Sequence, residues 1–293
     1  MPANQSQGLD RFVSAPDGLK LHYVEYGPAH GAGAPVVCLP GLTRTAEDFA
    51  SLARALATGE KPHRVLALDY RGRGLSEWDR NWRNYNVIVE NADILSLLDA
   101  AEIHEAIVIG TSRGGLHAMA LAAARPTLLK AVVLNDIGPV VEPLGLMRSK
   151  SHIGKIPQPR NWLEAVEILK AGMSAHFTAL SEADWEIYAR SVFQEKNGAF
   201  TGLSDPKIAR TLAEIAPDMP RIELWPQFLA MAQAPVLAVR GENSDLLSAE
   251  TLDEMTQRAQ TCESWVVPGQ GHAPLLTDML SIERIRTFID RFA

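Results

Sequence analysis

Gly110-Thr111-Ser112-Arg113-Gly114 is the stretch that decides how the rest of the chain is read. It fits the pattern G-x-S-x-G. The apolar run Ala106-Ile107-Val108-Ile109 precedes it and is bounded like a buried parallel strand. The Ala/Leu-rich segment 115–125 follows it and favours a helix. A serine on a sharp strand-to-helix turn has its hydroxyl thrust out of the sheet edge. The flanking glycines are needed because a Cβ there would collide within the tight turn. The N-terminus of the helix places positive partial charge where an oxyanion would form. Ser112 is therefore the expected nucleophile.

Outward from this turn, apolar runs at 35–39, 64–68, 106–109 and 131–134 alternate with helical patterns near 45–58, 87–101 and 115–125. Such alternation predicts a mostly parallel central sheet covered by helices on both faces. A hairpin is expected over 9–27, folded at Pro16-Asp17-Gly18. After Gly138-Pro139 the buried runs cease, and helical stretches are expected near 161–175, 181–193, 205–215 and 223–232. Ser181-Glu182-Ala183-Asp184 has the form of a helix-capping arrangement. Strand-like runs resume at 236–241 and 264–267, and a helix is expected over 278–292. The chain thus divides into an α/β core, 9–138 with 234–293, and a helical cap, 139–233, placed over the ligand-binding edge of the sheet.

Bulk properties narrow the partners. The 293 residues are 46% hydrophobic and 22% charged, with a formal net charge of −7. That balance argues against nucleic acid or an anionic membrane as the main partner and leaves a small-molecule substrate. A monomer or homodimer is expected. Cys38 and Cys262 make no disulfide framework, and Cys38 sits in an apolar run as a buried hydrophobe. No run is long enough to span a bilayer, and residues 1–8 are polar without an apolar signal core, so a cytoplasmic setting is expected. Neither a metal-ligand cluster nor a phosphate-cradling glycine loop is present in the sequence, and no cofactor is expected.

A serine hydroxyl needs a base in reach, and the base needs an orienting acid. His272, in the loop Pro268-Gly269-Gln270-Gly271-His272 after the last strand, is the expected base. Asp245, in the loop after the strand at 236–241, is the first choice for the acid. Asp136, at the end of the strand 131–134, is its rival, with the alternative role of bonding loop amides. The oxyanion is expected to meet the backbone amides of Arg113 and of Leu42, the latter in Pro40-Gly41-Leu42-Thr43. Trp162, Trp185, Tyr188, Phe193, Trp225 and Phe228 are candidates for an apolar pocket in the cap or for its core, with Trp185 and Tyr188 taken as substrate-binding.

With these residues in place, the chain resembles the α/β-hydrolase-fold superfamily, specifically its capped serine hydrolases. The resemblance covers nearly the whole chain from about Phe12. It rests on the order Ser112, Asp245, His272 and on Asp69-Tyr70-Arg71-Gly72-Arg73-Gly74-Leu75-Ser76, which matches the superfamily's D-x-R-G-x-G-x-S loop. Two departures stand out. The oxyanion loop reads Pro40-Gly41 where the family often has His-Gly, and Asp245 lies four residues after Gly241 where the family's acid usually lies three.

The resemblance implies a serine esterase or lactonase. Carbon–carbon bond hydrolases and acyltransferases use the same triad, and some members of the fold bind ligands without turnover. Carbon–carbon hydrolases tend to carry Trp after the histidine, where this chain has Ala273. Ser112 argues against dehalogenases and epoxide hydrolases, which need a carboxylate nucleophile. By analogy with fold members that hold a substrate carboxylate through an arginine beside the nucleophile, Arg113 is expected to contact substrate. The alternative is a pairing with a structural acid such as Asp136.

Overall fold

The computed structural model describes residues 7–31, 33–58 and 60–292; of the polar opening 1–8, only residues 7 and 8 fall among them. Twelve strands and nine α-helices are found among the described residues. In chain order they begin β1 (Leu9–Ser14), β2 (Lys20–Tyr26), β3 (Val36–Leu39), α1 (Ala50–Leu56), β4 (Val65–Asp69) and α2 (Val87–Ala100). β5 (Ala106–Thr111), α3 (Arg113–Ala124) and β6 (Leu129–Asn135) follow. Next come β7 (Val140–Val141), α4 (Pro143–His152), α5 (Trp162–Met173), α6 (Glu182–Val192), β8 (Phe193–Lys196) and β9 (Ala199–Gly202). The chain closes with β10 (Ile222–Glu223), α7 (Trp225–Met231), β11 (Val236–Gly241), α8 (Ala249–Arg258), β12 (Cys262–Val267) and α9 (Met279–Ile289).

Eight strands form one sheet in the order β1-β2-β4-β3-β5-β6-β11-β12. The β1–β2 and β2–β4 pairs are antiparallel, and all the others are parallel. The hairpin expected over 9–27 is present, and Gly18 takes φ 87° in its turn, where a side chain would be strained.

The central parallel strands are buried on both faces, so their residues alternate between two cores. Val37, Leu39, Val108, Val132, Leu134 and Val236 pack with α2, α3 and α8 on one side. Val36, Cys38, Ile107, Ile109, Val133 and Val239 pack with α1 and α9 on the other. This is why the central strands are unbroken apolar runs with no polar alternation. Burial pushes the Cys38 thiol up, consistent with an inert core residue.

The segment between β6 and β11 contributes no strand to this sheet, but it is less purely helical than its sequence suggests. Asn197 and Gly198, with φ 54° and 74°, turn a short β8–β9 hairpin. Asn-Gly is the turn dipeptide that permits two successive positive φ values, and it is the signal in the sequence for this hairpin. The helix expected at 205–215 is a 3-10 turn over Pro206–Leu212, and α4 is a helix that periodicity did not indicate. Ser181 and Asp184 do form a reciprocal capping box at the start of α6.

Trp225, Phe228 and Met231 of α7, like Val140 and Val141 of β7, pack in the main core with sheet residues. The insert has its own small core, built from Val166, Leu169, Phe177, Trp185, Phe193 and Phe200.

Candidate active site

Ser112 sits between β5 and α3 with φ 50° and ψ −111°, outside the regions ordinary residues occupy. The surrounding glycines make this turn possible. A Cβ on Gly114 would lie 2.0 Å from the Leu39 carbonyl oxygen, and one on Gly110 would lie 2.5 Å from the Gly114 backbone. The Ser112 amide donates to the Asn135 carbonyl at 2.9 Å, tying the turn to the end of β6.

His272 comes from the loop after β12. Its Nε2 lies 2.9 Å from Ser112 Oγ, and its Nδ1 lies 2.8 Å from Asp136 Oδ2. A carboxylate can only accept, so Nδ1 carries the proton, and Nε2 of the neutral ring is left to accept from the serine hydroxyl. Asn135 Nδ2 donates to the Pro274 carbonyl at 2.9 Å and steadies the histidine loop against β6.

The acid that meets His272 is Asp136, and the first choice, Asp245, is corrected accordingly. Asp136 follows β6 with φ 57° and is fully buried. Its Oδ1 accepts from the Gly241 amide at 2.7 Å, and its Oδ2 accepts from Ser244 Oγ at 2.6 Å as well as from His272. Ser244 occupies the position three residues after Gly241, where the acid of related chains is expected. Asp245, one residue farther on, turns away and is gripped by Arg148 of α4, whose Nε and Nη2 donate at 2.6 and 2.9 Å. Burial alone would raise the Asp245 carboxyl, but Arg148 outweighs it and holds it below the ordinary aspartate range.

Gly41 brings the loop after β3 close to Ser112; a Cβ there would lie 4.0 Å from Ser112 Cβ. Among the described residues, the amides of Leu42 and Arg113 have no hydrogen-bond acceptor. Both are therefore available to a ligand, one on the loop after β3 and one at the start of α3.

Arg113's side chain does not meet the expectation of substrate contact. It does not line the cavity; its guanidinium is bound to the buried carboxylate of Glu90, with Nη2 at 2.7 Å. The structural pairing thus prevails over substrate contact, with Glu90 in place of Asp136.

A cavity of about 980 Å³ lies over Ser112 and His272. Tyr188 lines it. Trp185 does not; it is buried in the core of the insert beside Phe177. Trp225 and Phe228 lie in the main core, as described, and Phe193 lines the cavity. The polar wall includes two residues that the sequence did not mark, Arg44 and Arg148. Their only sequence signal is an aspartate four residues on in the case of Arg44, whose Nε and Nη2 donate to Asp48. Arg148's partner lies 97 residues away.

Among the described residues, no group of three or more His, Cys, Asp or Glu side chains is placed to hold a metal ion. None of the described helices is long and apolar enough to cross a membrane.

A doubly covered, mostly parallel sheet, with a serine on a strained turn after a central strand and a histidine at the same rim, defines the α/β-hydrolase class. Residues 36–281 match the model of the alpha/beta hydrolase family, and the chain belongs to that family. It is 33% identical to the 3-hydroxybutyrate-oligomer hydrolase of Cupriavidus necator, over 96% of this chain and 97% of that one. It is 28% identical to the 2-(acetamidomethylene)succinate hydrolase of Mesorhizobium japonicum, over 89% of each. Among solved structures, an alpha/beta hydrolase from Novosphingobium aromaticivorans superposes with a TM-score of 0.89 at 36% identity, covering 97% of this chain and 98% of that one.

Proposed function

We propose that this chain is a serine hydrolase that cleaves carboxylic esters through an acyl-enzyme. The observation that carries the reading is the continuous hydrogen-bonded path from Ser112 Oγ through His272 to buried Asp136. Ser112 Oγ attacks the ester carbonyl as His272 Nε2 takes its proton. Asp136 holds the ring in the productive tautomer and stabilises the imidazolium that forms. The Leu42 and Arg113 amides stabilise the tetrahedral oxyanion. His272 then protonates the departing alkoxide, and the same nitrogen activates the water that releases the acid and restores Ser112.

One of the relatives supports ester cleavage. An oligomer of a hydroxy acid is joined by ester bonds, so the name of the Cupriavidus relative agrees with the reaction proposed here. The cavity over Ser112 accommodates a small or medium acyl group, with Tyr188 in its wall.

The test is labelling with a fluorophosphonate probe together with turnover of p-nitrophenyl esters of graded chain length, aryl amides and β-diketones. The wild type should label and should favour esters, and Ser112→Ala should lose both labelling and turnover. A folded wild type that neither labels nor cleaves any ester would overturn the reading.

A further inference from the structure

We infer that the cavity over Ser112 accepts an anionic end of the substrate, so that the ester it cleaves carries a carboxylate remote from the scissile bond. This rests on the serine-hydrolase reading above and adds a substrate class to it.

Charge distribution is the first observation. The chain carries a formal net charge of −7. Yet its cavity wall holds Arg44, Arg54, Arg148, Lys155 and Arg190 against only Glu47, Asp48 and Asp205. With Asp245, which pairs Arg148 from outside the wall, five basic groups stand against four acids, and two of the wall's acids are held in place. Asp48 binds Arg44, and Asp205 is buried and accepts from the Tyr85 hydroxyl at 2.6 Å. Among the described residues, Lys155 and Arg190 have no acidic partner, while Arg190 rests on the Trp162 ring at 4.4 Å. A recessed wall with surplus positive charge concentrates anions from solution.

The inner arginines supply the second observation. Arg44 and Arg148 are each held through Nε and Nη2 by an aspartate, Asp48 and Asp245 respectively. Tyr188 lies against the Arg44 guanidinium at 4.8 Å. In both arginines Nη1 has no partner among the described residues, and neither nitrogen is among the buried unsatisfied atoms. The side chains remain 19% and 14% exposed. Each guanidinium is thus fixed in orientation within a cavity-lining residue, with one nitrogen that no protein group occupies.

The pairing also sets the ligand's charge. Because each inner arginine shares its charge with an aspartate, the inner wall offers directed N–H donors with little surplus charge. A planar monoanion suits such a wall, whereas a dianionic phosphate would be left undercompensated. Lys155 and Arg190 draw that monoanion inward.

The experiment compares two substrates of one leaving group and acyl length, mono-(p-nitrophenyl) glutarate and its methyl-capped diester. For the wild type, kcat/KM should be about tenfold or more higher for the free carboxylate, and this advantage should shrink as salt rises. Removing the pair as Arg148→Gln with Asp245→Asn leaves no stranded charge beside His272. The carboxylate preference should then fall about five- to tenfold, and Lys155→Gln with Arg190→Gln should flatten its salt dependence. Equal, salt-independent kcat/KM for the two esters in wild-type protein that labels with fluorophosphonate would overturn the anionic-substrate inference and leave the serine-hydrolase reading standing. Absence of labelling and of turnover of either ester would remove both. If the Arg148 variant fails to fold, the wild-type comparison still decides.

Discussion

Glu90 grips Arg113 from inside the protein: Glu90 Oε2 accepts from Arg113 Nη2 at 2.7 Å and from Nε at 3.1 Å. The other oxygen, Oε1, accepts from Arg73 Nη1 at 2.6 Å, and Arg73 Nε in turn donates to the Leu42 carbonyl at 2.8 Å. One buried carboxylate therefore connects the two residues whose amides are proposed to receive the oxyanion. Arg113 and Leu42 lie far apart in the chain, and their relative position is maintained by this network as well as by the sheet.

The first prediction concerns Glu90. Burial alone would raise its carboxyl, but Arg73, His117 and Arg113 more than offset this and hold it far below the usual carboxylate range. A depressed carboxyl contributes stability above its unfolded value, which is lost only as pH falls through the folded one. Its contribution is thus complete at neutral pH and disappears in strong acid. Glu90→Ala strands buried Arg73 and should cost about 3–5 kcal/mol in a denaturant titration. Glu90→Gln should fold with a lower Tm and lose about tenfold or more in kcat with KM little changed, because misplaced oxyanion donors matter most in the transition state. A fall in Tm with kcat intact would show the network to be structural only.

The two aspartates should separate by mutation. Asp136→Asn should lower kcat by about 10⁴-fold, because an amide beside Nδ1 no longer enforces the tautomer that leaves Nε2 free to accept. Asp245→Asn leaves Arg148 unpaired but does not touch the His272–Asp136 bond, and should cost less than about tenfold in kcat on a neutral ester. Steady-state kinetics on one p-nitrophenyl ester measures both, and the reverse order would return the acid's role to Asp245.

Ser244 donates to the same Asp136 oxygen that faces His272. Ser244→Ala removes a hydrogen bond to a buried charge and should destabilise the fold by about 1.5–3 kcal/mol, read from chemical denaturation. With one donor lost, Asp136 should hold the histidine less rigidly, and kcat should fall by about tenfold. Ser244→Asp should be more damaging, because it sets two carboxylates against each other in a buried space.

Gly114 is the most constrained glycine of the serine turn. A Cβ there would lie 2.0 Å from the Leu39 carbonyl, a backbone atom with little freedom to move. Gly114→Ala should cost about 3 kcal/mol or more and disturb Ser112 as the turn opens. Gly198→Ala, where no heavy atom lies within 4 Å, should cost less and report only the strain of its φ of 74°. Thermal melts of the two variants side by side would check the difference.

Some features were legible in the sequence because they are local. The central parallel strands appear as unbroken apolar runs, since a strand buried on both faces cannot alternate. Ser112 is visible because a strand, a glycine-flanked turn and a helix are contiguous, and His272 because it closely follows the last strand. The β8–β9 hairpin was equally local, signalled by Asn197-Gly198, but the surrounding helical periodicity obscured it. Asp136 against Asp245 was a different kind of question. β6 and β11 are neighbours in the sheet, so acids just past either strand reach the same rim. Which one turns toward the histidine depends on loop geometry: Asp136 takes φ 57°, while Asp245 is drawn off by an arginine of the insert.

The amino-acid sequence alone determined the layered α/β architecture, the strained turn that carries Ser112 and the loop that carries His272, because periodicity, glycine placement and strand–helix order act over a few neighbouring residues. The tertiary structure alone decided which carboxylate orients the histidine, that Arg113 is bound by Glu90, and that Arg44 and Arg148 form the polar wall of the cavity. Those outcomes depend on partners distant along the chain. A charged side chain takes whichever opposite charge folding brings into hydrogen-bond range, and spacing along the chain does not reveal that distance.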